Sequence, residues 1–256
     1  MIQSIVGFII LAKISLAYKD IPCEWKSLTK ATFDLTPLMV TDESKPSYLI
    51  KDGDIPCTPE KEPNYSYLFN FCADVTAASF PSNVCSDVQM GSAIQYIDRS
   101  DGYKECNVIG HYDPLRDDTY YSLLDASDPS KGVSITYQFG QKCPSGDLRS
   151  ATIDVMCENV KATIDSANEP STCAYHLVMR SQYGCPKECP ITNAGLCNSH
   201  GHCAYDTKAG TPHCYCNKGY GGNACTKLSG SDSSSGSAVY SLQIAMLVVL
   251  LLAAVV

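Results

Sequence analysis

Fifteen cysteines constrain this chain more than any other feature, because they occur along nearly its whole length after residue 20. Thiols at that density imply disulfides and an oxidising compartment rather than a reduced cytosolic protein. Their distribution also divides the chain. Six of them (Cys189, Cys197, Cys203, Cys214, Cys216 and Cys225) crowd into residues 186–225, where apolar residues thin out. A segment so short, with so little hydrophobic surface, holds a fold only through cross-links. A separate, disulfide-built module is therefore expected over residues 187–226. The stretch before it, residues 22–186, is long enough to bury a core of its own, to which disulfides add.

Hydrophobic periodicity sets the class of that larger region. Tyr65, Tyr67, Phe69 and Phe71 alternate with smaller residues, and so do Val133, Ile135, Tyr137 and Phe139. Ala151, Ile153, Val155 and Cys157 form another alternating set, followed by Cys173, Tyr175, Leu177 and Met179. Period two marks half-buried strands, and no window of similar length carries a helical period. Pro81, Gly91 and Gly102 break the intervening chain into turns. The expected class is all-β, a flattened barrel or sandwich of short strands.

Both ends point to the secretory route. Residues 1–17 carry a short apolar core and close on Ser15-Leu16-Ala17, which suits a cleaved signal peptide. Residues 238–256 are uncharged and apolar, and follow a Ser/Gly-rich linker at 227–237. As a helix that segment is about 28 Å long, roughly one hydrocarbon core, and a single transmembrane span and a lipid-anchor signal both fit it. Either places the folded part outside the membrane, in the secretory pathway or at the cell surface. Asn64-Tyr65-Ser66 is a possible glycosylation acceptor. The net charge of −8 argues against nucleic acid as a partner, since phosphate backbones call for clustered Lys and Arg.

Within the small module the spacing C-x7-C-x5-C-x10-C-x-C-x8-C closes on Cys216-Asn217-Lys218-Gly219-Tyr220-Gly221-Gly222-Asn223-Ala224-Cys225. This resembles an epidermal growth factor-like domain. The resemblance implies the pairs Cys189–Cys203, Cys197–Cys214 and Cys216–Cys225. The acidic and amide residues of calcium-binding members are missing before Cys189, so no calcium is expected. His200, His202 and His213 stand near cysteines, but oxidised cysteines leave no thiolate set for zinc. No metal and no cofactor are expected anywhere in the chain.

The second half of the larger region carries Tyr137-Gln138-Phe139-Gly140-Gln141-Lys142-Cys143, then Arg149, Cys157, Glu169-Pro170-Ser171-Thr172-Cys173-Ala174-Tyr175 and Cys185. These residues resemble the mannose 6-phosphate receptor homology domain, a P-type lectin fold. Phe33–Leu38, Phe69-Asn70-Phe71-Cys72 and Gly91-Ser92-Ala93-Ile94-Gln95 fit the same pattern more loosely. The resemblance implies a non-enzymatic site for terminal mannose built from Gln95, Arg149, Glu169 and Tyr175, with Gln89 as the alternative to Gln95. It also implies the pairs Cys143–Cys173 and Cys157–Cys185. Of the five remaining cysteines, Cys23–Cys72 and Cys85–Cys106 are the preferred pairs, which leaves Cys57 over.

The chemistry suits a neutral sugar. A guanidinium offers fixed donors, a carboxylate accepts from vicinal hydroxyls, and Tyr and Gln both donate and accept. Lys142 is the one nearby cation for a phosphate, and with the acidic balance the expected ligand is an unphosphorylated mannose-type N-glycan on a glycoprotein. The competing expectation is a surface adhesion protein acting through its epidermal growth factor-like module. A glycosidase is disfavoured, because no second acid pairs with Glu169.

Overall fold

The computed structural model describes residues 23–51, 65–80, 85, 90–98, 102, 104–113 and 121–228. The expected signal peptide, Cys57, Asn64, Gln89 and the apolar residues 238–256 lie outside them. Among the described residues no helix is long and apolar enough to cross a membrane. Regular structure is strand with short 3-10 turns, so the class is all-β.

Two short strands, β1 (Glu24–Lys26) and β2 (Thr32–Asp34), form an antiparallel pair at the start. A four-stranded antiparallel sheet follows, in the order β3 (Tyr48–Lys51), β4 (Ser66–Phe69), β5 (Ala93–Asp98) and β6 (Lys104–Gly110). The second sheet contains β7 (Tyr121–Leu123), β8 (Gly132–Tyr137), β9 (Ser150–Cys157), β10 (Thr163–Ser171) and β11 (Ala174–Ser181). Its spatial order is β10-β11-β9-β8-β7, and only β11 and β9 run parallel within it.

The period-two pattern explains how the sheets meet. Val133, Ile135 and Tyr137 of β8, Ala151, Ile153 and Val155 of β9, and Tyr175, Leu177 and Met179 of β11 are all buried. They pack in one cluster with Tyr67, Phe69, Phe71, Ala93 and Ile109 from the first sheet, and with Phe33, Leu35 and Leu38. Successive side chains of a strand point to opposite faces, so each of these strands gives one face to this core. The opposite face of the first sheet builds a smaller cluster of Leu68, Ile94, Tyr96 and Val108 with Cys85.

Three details depart from the sequence reading. Phe139 ends its alternating set outside the core, exposed and at φ 59°, because the chain turns after Tyr137. Cys173 is buried, but it lies in the β10–β11 turn at φ 64°, so the strand part of its set begins at Tyr175. The polar run before Cys173 is a strand after all. β10 is a mostly exposed edge strand, which hydrophobic periodicity does not reveal.

Seven disulfides cross-link the described residues: Cys23–Cys72, Cys85–Cys106, Cys143–Cys173, Cys157–Cys185, Cys189–Cys203, Cys197–Cys214 and Cys216–Cys225. The last three lie among β12 (Ile191–Thr192), β13 (Gly195–Leu196), β14 (Gly201–Asp206), β15 (Thr211–Cys216), β16 (Tyr220–Gly221) and β17 (Lys227–Leu228). Here cysteines themselves form the buried cluster, with Leu196 and Tyr220. This part is fastened to the β1–β2 hairpin and to the β9–β10 turn. The Thr32 N–H donates to both Glu188 carboxylate oxygens, at 3.2 and 3.0 Å, and the Lys187 N–H donates to the Thr32 carbonyl at 2.7 Å. Asn159 accepts from the Leu196 N–H at 2.8 Å and donates to the Ser199 hydroxyl at 3.0 Å.

Candidate functional site

Gln95, Arg149 and Tyr175 come from three different strands or their ends, and the fold buries all three at one edge of the shared core. Tyr175 lies on the inward face of β11, in line with Leu177 and Met179, and in register with Ala151 of β9. Arg149 precedes β9 by one residue and shares a strand face with Ala151, so its side chain enters from the same direction. Gln95 lies on β5 and pairs with Tyr67 of β4, which places both on the core-facing side of the other sheet. The site is thus where the two sheets face each other, and it is lined by polar groups where the rest of that interface is apolar.

The groups are joined in a chain of hydrogen bonds. Arg149 Nη1 donates to the Tyr175 hydroxyl, which donates to Gln95 Oε1 at 3.3 Å. Gln95 Nε2 donates to the Tyr67 hydroxyl at 3.5 Å. The Arg149 guanidinium carbon lies 5.8 Å from the centre of the Tyr175 ring, and the Tyr67 and Tyr175 rings are 5.9 Å apart. Arg149 Nε is buried and has no hydrogen-bond partner among the described residues. A buried donor left unpaired is costly, so this N–H is a group that a polar ligand or ordered water would satisfy.

Glu169 is half-buried and reaches the site from β10. The β10–β11 register shifts between Asn168 and Ser171, a bulge that contains Glu169 and Pro170. Bulges re-aim side chains, and an edge strand is where Pro is tolerated. The Glu169 carboxylate accepts from the Cys173 N–H at 2.5 Å, which holds the turn. Burial raises the Tyr175 hydroxyl to about 12, with the Glu169 charge adding to the effect and Arg149 opposing it. Glu169 is therefore close enough to act on the same hydroxyl electrostatically.

A folded pKa above the ordinary phenol value of about 10 means that the native state holds its proton longer than the unfolded chain. Burial also raises Tyr48 to about 12. The stability these tyrosines contribute is complete below about pH 10 and is lost as pH rises through about 12. Thermal melts in alkaline buffers are expected to show this fall. Phenolate absorbance should develop in step with unfolding, and full ionisation below pH 10 in the folded protein would contradict the assignment.

The loop that carries Arg149 is built to close tolerance. Gln141 clamps it to β6: its N–H donates to the Val108 carbonyl at 2.8 Å and its Oε1 accepts from the Val108 N–H at 3.0 Å. The Arg149 N–H donates to the Gln141 carbonyl at 3.1 Å, and the Gly140 N–H to the Arg149 carbonyl at 3.0 Å. A Cβ on Gly140 would meet the Val108 carbonyl oxygen at 2.7 Å and the Arg149 Cβ at 2.9 Å, so only glycine allows this approach. The disulfide Cys143–Cys173 then ties this loop to the turn between Glu169 and Tyr175.

Tyr67 was not among the sequence-derived site residues. A buried tyrosine on an alternating strand reads as core, and its pairing with Gln95 becomes visible only with the β4–β5 register. Tyr67→Phe removes the acceptor that holds the Gln95 amide, at an expected cost of about 0.5–1.5 kcal/mol, or roughly 2–10-fold, in affinity for a ligand that contacts Gln95. Titration of wild type and variant checks this, and equal affinities would show that Tyr67 only packs. His/Cys/Asp/Glu groups arranged to hold a metal do not occur among the described residues.

Domain 11 of the chicken IGF2R is similar at 16% identity and TM-score 0.41, over 64% of this chain and 90% of that one. Domain 11 of the corresponding echidna receptor is similar at 16% identity and TM-score 0.39, over 64% and 95%. The MRH domain of Glucosidase II beta bound to mannose is similar at 20% identity and TM-score 0.27, over 50% and 90%. No curated protein matches the chain. The family model described as Glucosidase II beta subunit-like protein matches residues 49–206, which include every residue of the site. With more than half of its length matched by that model, the chain belongs to the Glucosidase II beta subunit-like family.

Proposed function

We propose that this protein is a lectin that binds mannose-type glycans of glycoproteins through Gln95, Arg149, Glu169 and Tyr175, without catalysing a reaction on them. The observation that carries the reading is the convergence of those side chains. Arg149, Tyr175 and Gln95 form one hydrogen-bonded chain, and Arg149 Nε has no partner among the described residues. Glu169 acts on the same tyrosine from the rim. Sugar hydroxyls are donors and acceptors at fixed spacing, and such a cluster offers both at once. In this reading Gln95 and Arg149 meet the axial 2-hydroxyl of mannose, and Glu169 and Tyr175 hold the 3- and 4-hydroxyls. An epimer that moves one hydroxyl leaves a charged partner unpaired, which gives discrimination.

The remaining parts of the reading follow from the sequence. Residues 22–186 act as a mannose 6-phosphate receptor homology domain and residues 187–226 as an epidermal growth factor-like domain. A signal peptide at 1–17 exports the chain, and residues 238–256 attach it to a membrane with the folded part outside the cytoplasm. The disulfide pattern agrees with such a compartment.

A glycan array probed with the full chain tests the proposal. Mannose-terminated N-glycans are expected to bind, with Glu169→Gln reducing the signal by about tenfold or more, as expected for a charge-assisted contact of about 1.5–3 kcal/mol. Binding that is indifferent to Glu169→Gln, or confined to glycans without terminal mannose, would remove the basis for it.

A further inference from the structure

The β14–β15 hairpin carries a face that the sugar site does not use. His202 pairs with Tyr215, and Ala204 with His213, across the two strands. Alternation turns Cys203 and Cys214 toward the cysteine cluster and leaves His202, His213 and Tyr215 on the outer side. His202 and Tyr215 are exposed, and His213 is half-exposed. The Tyr215 ring stacks with both imidazoles, 4.3 Å from His213 and 5.8 Å from His202. His200, one residue before β14, stacks on Tyr220 at 3.8 Å. Three of the chain's five histidines therefore lie along one hairpin, each against a tyrosine. A tyrosine face holds the imidazole ring in place.

The charge of the chain is strongly divided. Residues 189–228 contain Lys208, Lys218 and Lys227 against Asp206, a net of +2. Residues 23–188 contain 14 Lys and Arg against 24 Asp and Glu, a net of −10. Protonation of the three histidines takes the small segment from +2 to +5 while the large one stays acidic.

We propose that this histidine face is an acid-switched docking surface, and that its partner is the acidic region, residues 23–188, of a second copy of this chain. Both halves of the complementary pair are present in one sequence. The contact joins unlike surfaces, so it grows head to tail.

The groups around the imidazoles leave histidine as the switch. On the hairpin itself, Asp206 faces His213, and its carboxyl is held below the usual range mainly by the Ala209 and Lys208 N–H groups. Tyr215 and Tyr220 stack on the rings. The turn Pro129–Lys131 packs beside β14 and brings Lys131, which is paired with Asp128 at 3.6 Å. Cys197–Ser199 and Gly195–Leu196, which also pack there, carry no charge. Histidine is the side-chain type whose charge changes near neutral pH, and this face carries three of them.

Sedimentation velocity of the full chain in detergent, at neutral and acidic pH, tests the proposal. The protein mass in the complex is expected to rise at least about twofold on acidification to about pH 5.5, and to return on neutralisation. The rise should be suppressed by about 0.5 M salt, because screening shortens the reach of surface charge. The variant His200→Gln/His202→Gln/His213→Gln, with its disulfides verified by mass spectrometry, is expected to keep its neutral-pH mass in acid. An unchanged wild-type mass, acid-driven association in the triple variant, or acid-driven capture on phosphatidylserine vesicles without self-association would each overturn the proposal.

Discussion

Arg149→Ala is expected to abolish measurable mannose binding while the protein remains folded. The guanidinium is the fixed cationic donor of the cluster, and it is already aligned by its bond to the Tyr175 hydroxyl. A hydrogen bond from a charged group contributes about 1.5–3 kcal/mol, so losing the contact proposed between Arg149 and the 2-hydroxyl lowers affinity by roughly 10- to 100-fold. The truncation also leaves the Tyr175 hydroxyl with Gln95 as its remaining polar partner in this chain of bonds. Arg149→Lys is expected to rescue poorly. An ammonium is a point charge on a flexible stem and does not reproduce the planar array of donors. Circular dichroism separates this outcome from misfolding, since the backbone bonds of Arg149 to Gln141 and Gly140 do not involve its side chain. Calorimetric titration of the two variants beside wild type reads the effect.

The second large effect concerns the Cys143–Cys173 disulfide. Removing it with Cys143→Ala/Cys173→Ala opens a loop of sequence separation 30, which costs about 3–4 kcal/mol in the chain-entropy model. For a protein of this size that lowers Tm by roughly 10 °C. Sugar affinity is expected to fall as well, because this bridge joins the Arg149 loop to the turn between Glu169 and Tyr175. The tight turn that begins at Cys143 depends on Cys143 N–H to Asp147 carbonyl and Gly146 N–H to Cys143 carbonyl bonds, at 2.7 and 2.8 Å. The comparison to make is Cys85→Ala/Cys106→Ala. That bridge closes a separation of 21 and supports the cluster on the opposite face of the first sheet. Its removal should cost stability and leave mannose affinity within about twofold of wild type. Equal losses of affinity in the two double variants would mean that the site responds to stability alone.

How far the sequence could be read depended on whether a residue's role is periodic. Ile135, Ile153 and Leu177 are core because alternation makes them so, and the all-β class follows from sets like theirs. Arg149, Glu169 and Tyr175 were singled out through the resemblance to the mannose 6-phosphate receptor homology domain, by their positions relative to Cys143 and Cys173. Their approach to one another was not legible, because it depends on a parallel β9–β11 register that local patterns do not encode. Tyr67 and Gln141 escaped for different reasons. A core-facing tyrosine looks like any other aromatic of its strand, and the work of Gln141 is done by backbone and amide bonds to Val108. The strand β10 escaped because an edge strand facing water has no apolar face to alternate. Phe139 misled for the opposite reason, since its apolar side chain continued a pattern that the backbone had already left at φ 59°.

The most direct test of the sugar-binding account is calorimetric titration of the full chain with methyl α-mannoside and with methyl α-glucoside, its epimer at the 2-hydroxyl. The account predicts saturable binding of the mannoside, at least about tenfold weaker binding of the glucoside because Arg149 and Gln95 lose their axial partner, and loss of mannoside binding in Arg149→Ala. Equal affinity for the two epimers, or a mannoside affinity unchanged in both Arg149→Ala and Glu169→Gln, would contradict it.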